Sequence, residues 1–242
     1  MEIEDKRVLV TGASRGLGRA LVAAFVDAGA EEVLAGARKP VDLEALKSER
    51  VTPVQLDVTN EQHVNGVAGL GAIDILVNNA GVAGFGNPLT MDFEKVRDEL
   101  AVNYLGVLRV TRAVAPGMIA REDGMIVNIA TAFAKVNLPL VGTYCATKAA
   151  LLSLGQAFRA YLLDHNVRVI TVMPTTIDTD MSRGASGPKM TKEFVAAEIL
   201  TAIREERYDP PIGDEAKGIF ENLAKDSVAY EKVLQDYRMK QD

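Results

Sequence analysis

Six short aliphatic runs, separated by longer stretches at helical spacing, leave few folds open to this chain. They are RVLVTG (7–12), EVLAGA (32–37), VTPVQLD (51–57), IDILVN (73–78), GMIVNIA (124–130) and VRVITVM (167–173). Most are Val, Ile and Leu without polar alternation, the pattern of strands covered on both faces of a parallel sheet. After the first run, Leu17, Ala20, Leu21, Ala24, Phe25 and Ala28 recur at helical spacing, and Gly29 follows as a C-cap. This β-α-β-α order predicts an α/β fold with a doubly wound parallel sheet and right-handed crossovers. YDPPIGD has room for a seventh strand, which Pro210 and Pro211 would restrict to a sheet edge or a strand start. With no linker, repeat or low-complexity segment, residues 1–242 read as a single domain.

Bulk properties narrow the function classes. A net charge of −6 argues against a general nucleic-acid or membrane-surface binder. The single cysteine, Cys145, excludes an internal disulfide framework. His63 and His165 lie far apart, so no metal site is expected. The acidic N-terminus MEIEDKRVLVTG has too short an apolar run for a signal peptide. No run approaches the roughly 20 apolar residues of a membrane span, so a cytoplasmic protein is expected.

Helices expected over 93–114 and 145–164 are apolar on more than one stripe: Val102, Leu105, Val107, Leu108 and Val110 in one, Ala149, Ala150, Leu151, Leu152, Leu154, Ala157 and Phe158 in the other. Such helices are buried on two sides. One side meets the sheet. The other predicts a partner copy in a homodimer or homotetramer, or else cover by the chain's own C-terminal segment. SRGASGPKM (182–190) reads as a loop, either a substrate lid or a plain connection, before a helix capped by Thr191 with Glu193 close behind.

The residues with chemistry cluster at expected strand ends. Gly12, Gly16 and Gly18 in TGASRGLG stand at the first strand-to-helix turn. Glycine there lets the backbone turn and a pyrophosphate approach, and the new helix offers free N–H groups. After the second strand comes Ala37-Arg38-Lys39, where an acidic residue would bind ribose hydroxyls. With Arg15, Arg38 suits a 2′-phosphate, favouring NADPH over NADH; otherwise both are solvated surface charges. NNAG (78–81) follows the fourth strand as a wall of the same cleft. Tyr144 and Lys148 lie one helical turn apart. Tyrosine must drop about three units, or about 4 kcal/mol, to act near neutrality, and a cation about 4 Å away at an effective dielectric near 20 supplies that.

In ordered combination, RVLVTGASRGLG, LDVT, NNAG, NYLG, YCATK and PTTIDTDM resemble the short-chain dehydrogenase/reductase family in its compact form, over nearly the whole chain. The resemblance implies a Rossmann-like fold and a site, residue by residue. Tyr144 would be the general acid/base, and Lys148 would lower its pKa and bind ribose hydroxyls. Asn103 would hold a water in a proton relay, and Thr131 would occupy the place of the family's substrate-binding serine. Gly12, Ser14, Arg15, Gly16, Leu17 and Gly18 would bind NADP(H), with Arg38. Asp57 and Val58 would meet adenine, and Asn79, Ala80 and Gly81 the adenosine side. Pro174, Ile177 and Thr179 would lie by the nicotinamide or phosphates. Phe133, Leu138, Leu140, Val141 and Met181 are candidates around an apolar or aromatic ketone or a secondary alcohol.

Two departures stand out. Threonine at 131 adds a methyl that stiffens χ1. Thr175 replaces a glycine that can take positive φ cheaply. The expected activity is NADPH-dependent reduction of a carbonyl, or the reverse alcohol oxidation. The alternative is a non-catalytic NADP(H)-binding regulator on the same fold.

Overall fold

The computed structural model describes residues 1–185 and 187–235. Its strands are β1 (Arg7–Thr11), β2 (Glu32–Ala37), β3 (Val51–Gln55), β4 (Ile75–Asn78), β5 (Gly124–Ile129), β6 (Val167–Pro174) and β7 (Pro211–Ile212). They form one sheet in the order β3-β2-β1-β4-β5-β6-β7, with every pairing parallel. Successive side chains alternate between two apolar layers. Val8 and Val10 join Phe25, Ile170 and Ile199 on one face; Leu9 joins Leu76, Val110, Met118 and Ile126 on the other. Both faces are therefore covered, which explains the near-continuous aliphatic strands. Each such side chain contributes about 1.5–3 kcal/mol by leaving water.

The six strands read from the sequence are all present, with ends shifted, and the stretch YDPPIGD supplies the seventh. Gly12 turns away at φ +69 instead of extending β1. Asp57 leaves β3 to form a turn, its carboxylate accepting from Thr59 N at 2.9 Å. Ile73 and Asp74 precede β4; Asp74 accepts the Arg7 N–H at 2.9 Å. β5 stops at Ile129, before Ala130, and β6 runs on to Pro174. β7 is a two-residue edge strand, as the prolines require.

The helices are α1 (Gly16–Asp27), α2 (Glu61–Gly66), α3 (Phe93–Leu100), α4 (Val107–Arg121), α5 (Gly142–Leu162), α6 (Lys192–Arg204), α7 (Asp214–Lys225) and α8 (Ser227–Gln235). The C-cap of α1 is Ala28, one residue ahead of the expected Gly29, which follows at φ +87. The expected 93–114 helix is two helices joined by a π-helical segment, Ala101–Gly106, and α4 runs on to Arg121. Gly106 fits there because a Cβ would come within 2.6 Å of Val58 Cγ2. The 145–164 helix starts earlier, at Gly142, and ends at Leu162. Thr191 caps α6 as expected, accepting from Phe194 N at 3.2 Å. Within the 182–190 loop, Ser186 lies outside the described residues. Its base is pinned by a bridge between Ile177 and Met190.

Of the two expectations for the second face of these helices, cover by the chain's own C-terminal segment is met in part. Phe220 of α7 packs beside Leu151 and Leu152 of α5, so the C-terminal segment covers part of it. Phe93, Leu100 and Tyr161 stay exposed, at 74%, 44% and 77%. Among the described residues, no helix is long and apolar enough to cross a membrane.

Candidate active site

The strand order reverses direction between β1 and β4, and in such sheets ligands bind at the carboxyl ends beside that point. The glycine loop after β1 and NNAG after β4 flank it. Thr11 Oγ1 accepts from both Asn79 N and Ala80 N at 3.0 Å, and Asn79 Nδ2 donates to Thr11 O at 2.9 Å. NNAG thus braces the loop. Gly18 admits no side chain: a Cβ would sit 2.2 Å from Gly12 O. Gly16 lies against Thr179, whose Cγ2 would be 3.3 Å from an added Cβ. The glycine loop and the segment after β6 therefore form two facing walls. This glycine-lined cradle at a helix N-terminus fits the pyrophosphate of a dinucleotide.

The charged candidates divide. Arg38 is exposed near Asp57. Burial pushes the Asp57 carboxyl up, but bonds from Thr59 and the charges of Arg38 and His63 outweigh it, leaving it below its usual value. Arg15 leans across the cleft to Asp180, Nη1 to Oδ2 3.7 Å, and Asp180 also pairs with Arg183. Leu17 and Val58 turn their side chains into the two apolar layers, so only their backbones are left to meet a cofactor. Ser14 is half-buried on the loop.

Tyr144 and Lys148 project from α5, one turn apart, toward the β4 and β5 ends. Lys148 is 4% exposed; its Nζ donates to Ile129 O at 2.8 Å. A Cβ on Gly81 would lie 3.7 Å from that Nζ and 3.4 Å from Asn103 Oδ1. Tyr144, Lys148, Asn103 and the NNAG loop thus meet in one place. Burial pushes Lys148 down to about 8.

The expected lowering of Tyr144 is not what this geometry produces. Lys148 Nζ lies 5.8 Å from the Tyr144 ring centre and is engaged elsewhere. Tyr144 keeps some accessible surface, yet burial, followed by the fields of Cys145 and Glu99, raises its hydroxyl above the ordinary value. Burial likewise pushes the Cys145 thiol up to about 11.

Asn103 lies in the π-helical segment and is fully buried. Its Oδ1 accepts from Val82 N at 2.9 Å, and its Nδ2 donates to Val82 O at 2.9 Å and Thr147 Oγ1 at 3.0 Å. The side chain is thus committed to pinning the loop after β4 onto α5, and any relay role falls to its backbone. Thr131, at the end of β5, is also committed: Oγ1 donates to Pro174 O at 3.0 Å and accepts from Phe133 N at 3.4 Å. To hold a substrate oxygen it must release Pro174. Thr175 takes no positive φ, so the chain leaves β6 without the conformation a glycine would supply. Thr179 lies against Gly16 of the glycine loop, whereas Ile177 packs partly against the apolar core and bridges to Met190.

The substrate candidates are dispersed. Phe133 and Leu138 pack partly against Ala216 and Ile219 of α7. Leu140 and Val141 are half-buried, and Met181 is 43% exposed on the turn after Thr179. A cavity of about 470 Å³ is lined by Phe133, Lys135, Val136, Cys145 and Ala149. Of the substrate candidates Phe133 lines it, while Tyr144, Lys148 and Thr131 do not. Three residues escaped the sequence reading. Thr11 and Thr147 were marked only by a hydroxyl in a strand end and a helix. Glu99 is 2% exposed although it stands in a charged segment, FEKVRDEL.

Comparison with known proteins places the fold in a family. A family model described as short chain dehydrogenase matches residues 6–189. The chain belongs to the short-chain dehydrogenase/reductase family, oxidoreductases acting on CH–OH or C=O groups. L-xylulose reductase of Bos taurus is 36% identical over 200 residues, 81% of this chain and 82% of that protein. D-erythrulose reductase of Gallus gallus is 38% identical over 187 residues, 76% of each chain. A solved short chain dehydrogenase from Burkholderia cenocepacia J2315, in complex with NADP, is similar with a TM-score of 0.93 at 38% identity, covering 97% of this chain and 99% of that one.

Proposed function

We propose that the chain is an NADPH-dependent carbonyl reductase, reversible as an alcohol dehydrogenase, with Tyr144 as general acid/base. The observation that carries this is the meeting of Tyr144 and Lys148 with Asn103 and Gly81 beside a glycine-lined cradle. Gly12, Ser14, Arg15, Gly16, Leu17 and Gly18 would hold the pyrophosphate side, Asp57, Val58 and Asn79 to Gly81 the adenosine, and Pro174, Ile177 and Thr179 the nicotinamide side. Arg38 would take the 2′-phosphate, helped by Arg15 once it leaves Asp180. When bound, the nicotinamide supplies or accepts the hydride.

Tyr144 donates its proton to the carbonyl oxygen in reduction and recovers it in oxidation. Lys148 holds the ribose hydroxyls and lends positive charge to the phenolate that forms. Thr131 holds the same oxygen after exchanging its bond to Pro174. Phe133, Leu138, Val141 and Met181 shape an apolar entrance, with the 182–190 loop as its lid. A second copy of this chain would be its partner, a reading supported by the exposed Phe93 and Leu100 of α3 and Tyr161 of α5.

Nicotinamide absorbance, followed against apolar ketones, aromatic ketones and short ketoses such as those in the two relatives' names, tests the reading. Turnover of at least one class with NADPH is expected. Tight NADPH binding without turnover of any would favour a non-catalytic binder. Arg38→Asp should move the NADPH:NADH preference toward NADH by about tenfold, roughly 1.4 kcal/mol. An unchanged ratio would move the 2′-phosphate site away from Arg38.

A further inference from the structure

Glu99 sits on α3, one turn ahead of Asn103, in a region that excludes water. Its Oε1 accepts from Gly84 N at 2.6 Å. Its Oε2 is buried with no hydrogen-bond partner. An apolar side chain would pack here without leaving an unmatched oxygen. The loop it grips also meets the start of α5: Gly86 N donates to Leu140 O at 2.9 Å, and Thr143 Oγ1 donates to Met91 Sδ at 3.3 Å. Asn103 grips the same loop two residues earlier, at Val82.

We propose that Glu99 is a positioning residue for proton donation: it fixes the 82–91 loop beside Tyr144 through Gly84, and it places a buried carboxyl group, one oxygen of it unpartnered, on the helix packed against α5, which carries Tyr144. The proposal rests on Tyr144 being the proton donor. The charged or titratable groups that act on Tyr144 are Cys145 of α5 and Glu99 of α3, with Lys148 Nζ 5.8 Å from its ring centre. Burial acts first on the Tyr144 hydroxyl, and the fields of Cys145 and Glu99 add to it in the same direction. A reductase needs its acid still protonated when the carbonyl arrives, and a nearby anion extends the pH range over which that holds.

Two variants separate the two roles. Glu99→Gln keeps an oxygen for the Gly84 N–H and removes the charge; Glu99→Leu removes both. Hydrogen exchange at the Gly84 amide should match wild type in Glu99→Gln and be about tenfold faster in Glu99→Leu. The alkaline limb of the reductase rate should move down by about one pH unit in Glu99→Gln, with NADPH affinity unchanged. A Glu99→Gln limb that overlays wild type overturns the proposal, and so does wild-type protection of Gly84 in Glu99→Leu. If Glu99→Leu does not fold, the limb of Glu99→Gln alone decides. Failure of the Tyr144 reading shows separately, as turnover that survives Tyr144→Phe.

Discussion

An ammonium group 4% exposed, pushed down by burial to about 8, weakens the cofactor-free fold. The unfolded chain keeps that proton up to about 10.5, the folded chain only to about 8. Between those values folding releases a proton, so stability rises with pH across that window. Above pH 10 Tyr144 acts the other way: burial holds its hydroxyl neutral in the fold, the unfolded chain ionises first, and stability falls. Lys148→Met should therefore stabilise the cofactor-free protein at pH 7 by about 1–2 kcal/mol, after allowing for the lost bond to Ile129. Denaturant unfolding from pH 7 to 10 should show that gain shrinking as pH rises; a variant less stable than wild type throughout would contradict it. At this scale the sequence displayed the side-chain types but not their partners. Thr131 was legible as a hydroxyl, yet its acceptor, Pro174 O, is 43 residues away. Asn103 was legible as a candidate, while its grip on Val82 needs α3 folded against the loop after β4. Glu99 was hidden because an acid among charged neighbours reads as solvated.

At the scale of elements, the glycine loop was the most legible part, because backbone geometry there leaves little choice of residue. Gly18→Ala would bring a Cβ to 2.2 Å from Gly12 O and 2.6 Å from Asn79 Nδ2. A backbone oxygen braced by NNAG cannot yield cheaply. Gly18→Ala should lower the melting temperature by several degrees, about 1–3 kcal/mol, and weaken NADPH binding at least about tenfold. Calorimetry and cofactor fluorescence measure the two. Affinity and melting temperature both near wild type would contradict this account of the loop. The π-helical segment was illegible. The apolar spacing of 93–114 fits an unbroken helix, and the break follows from Gly106 meeting Val58, a residue from the turn after β3. Strand ends were off by a residue or two wherever a side chain such as Asp57 or Asp74 took over a backbone bond.

For the whole molecule, the alternation of aliphatic runs with helical stretches carried the class of fold, since few sheets cover both faces of every strand. Strand order was open until the sheet closed, and with it the switch point between β1 and β4 that gathers residues from Gly12 to Lys148. In the reaction centre proposed for these residues, Tyr144 is the acid. The direct measurement is NADPH binding and ketone turnover by Tyr144→Phe under the same conditions. Wild-type NADPH affinity with turnover reduced about 10²–10⁴-fold is expected. Turnover near the wild-type rate would contradict it.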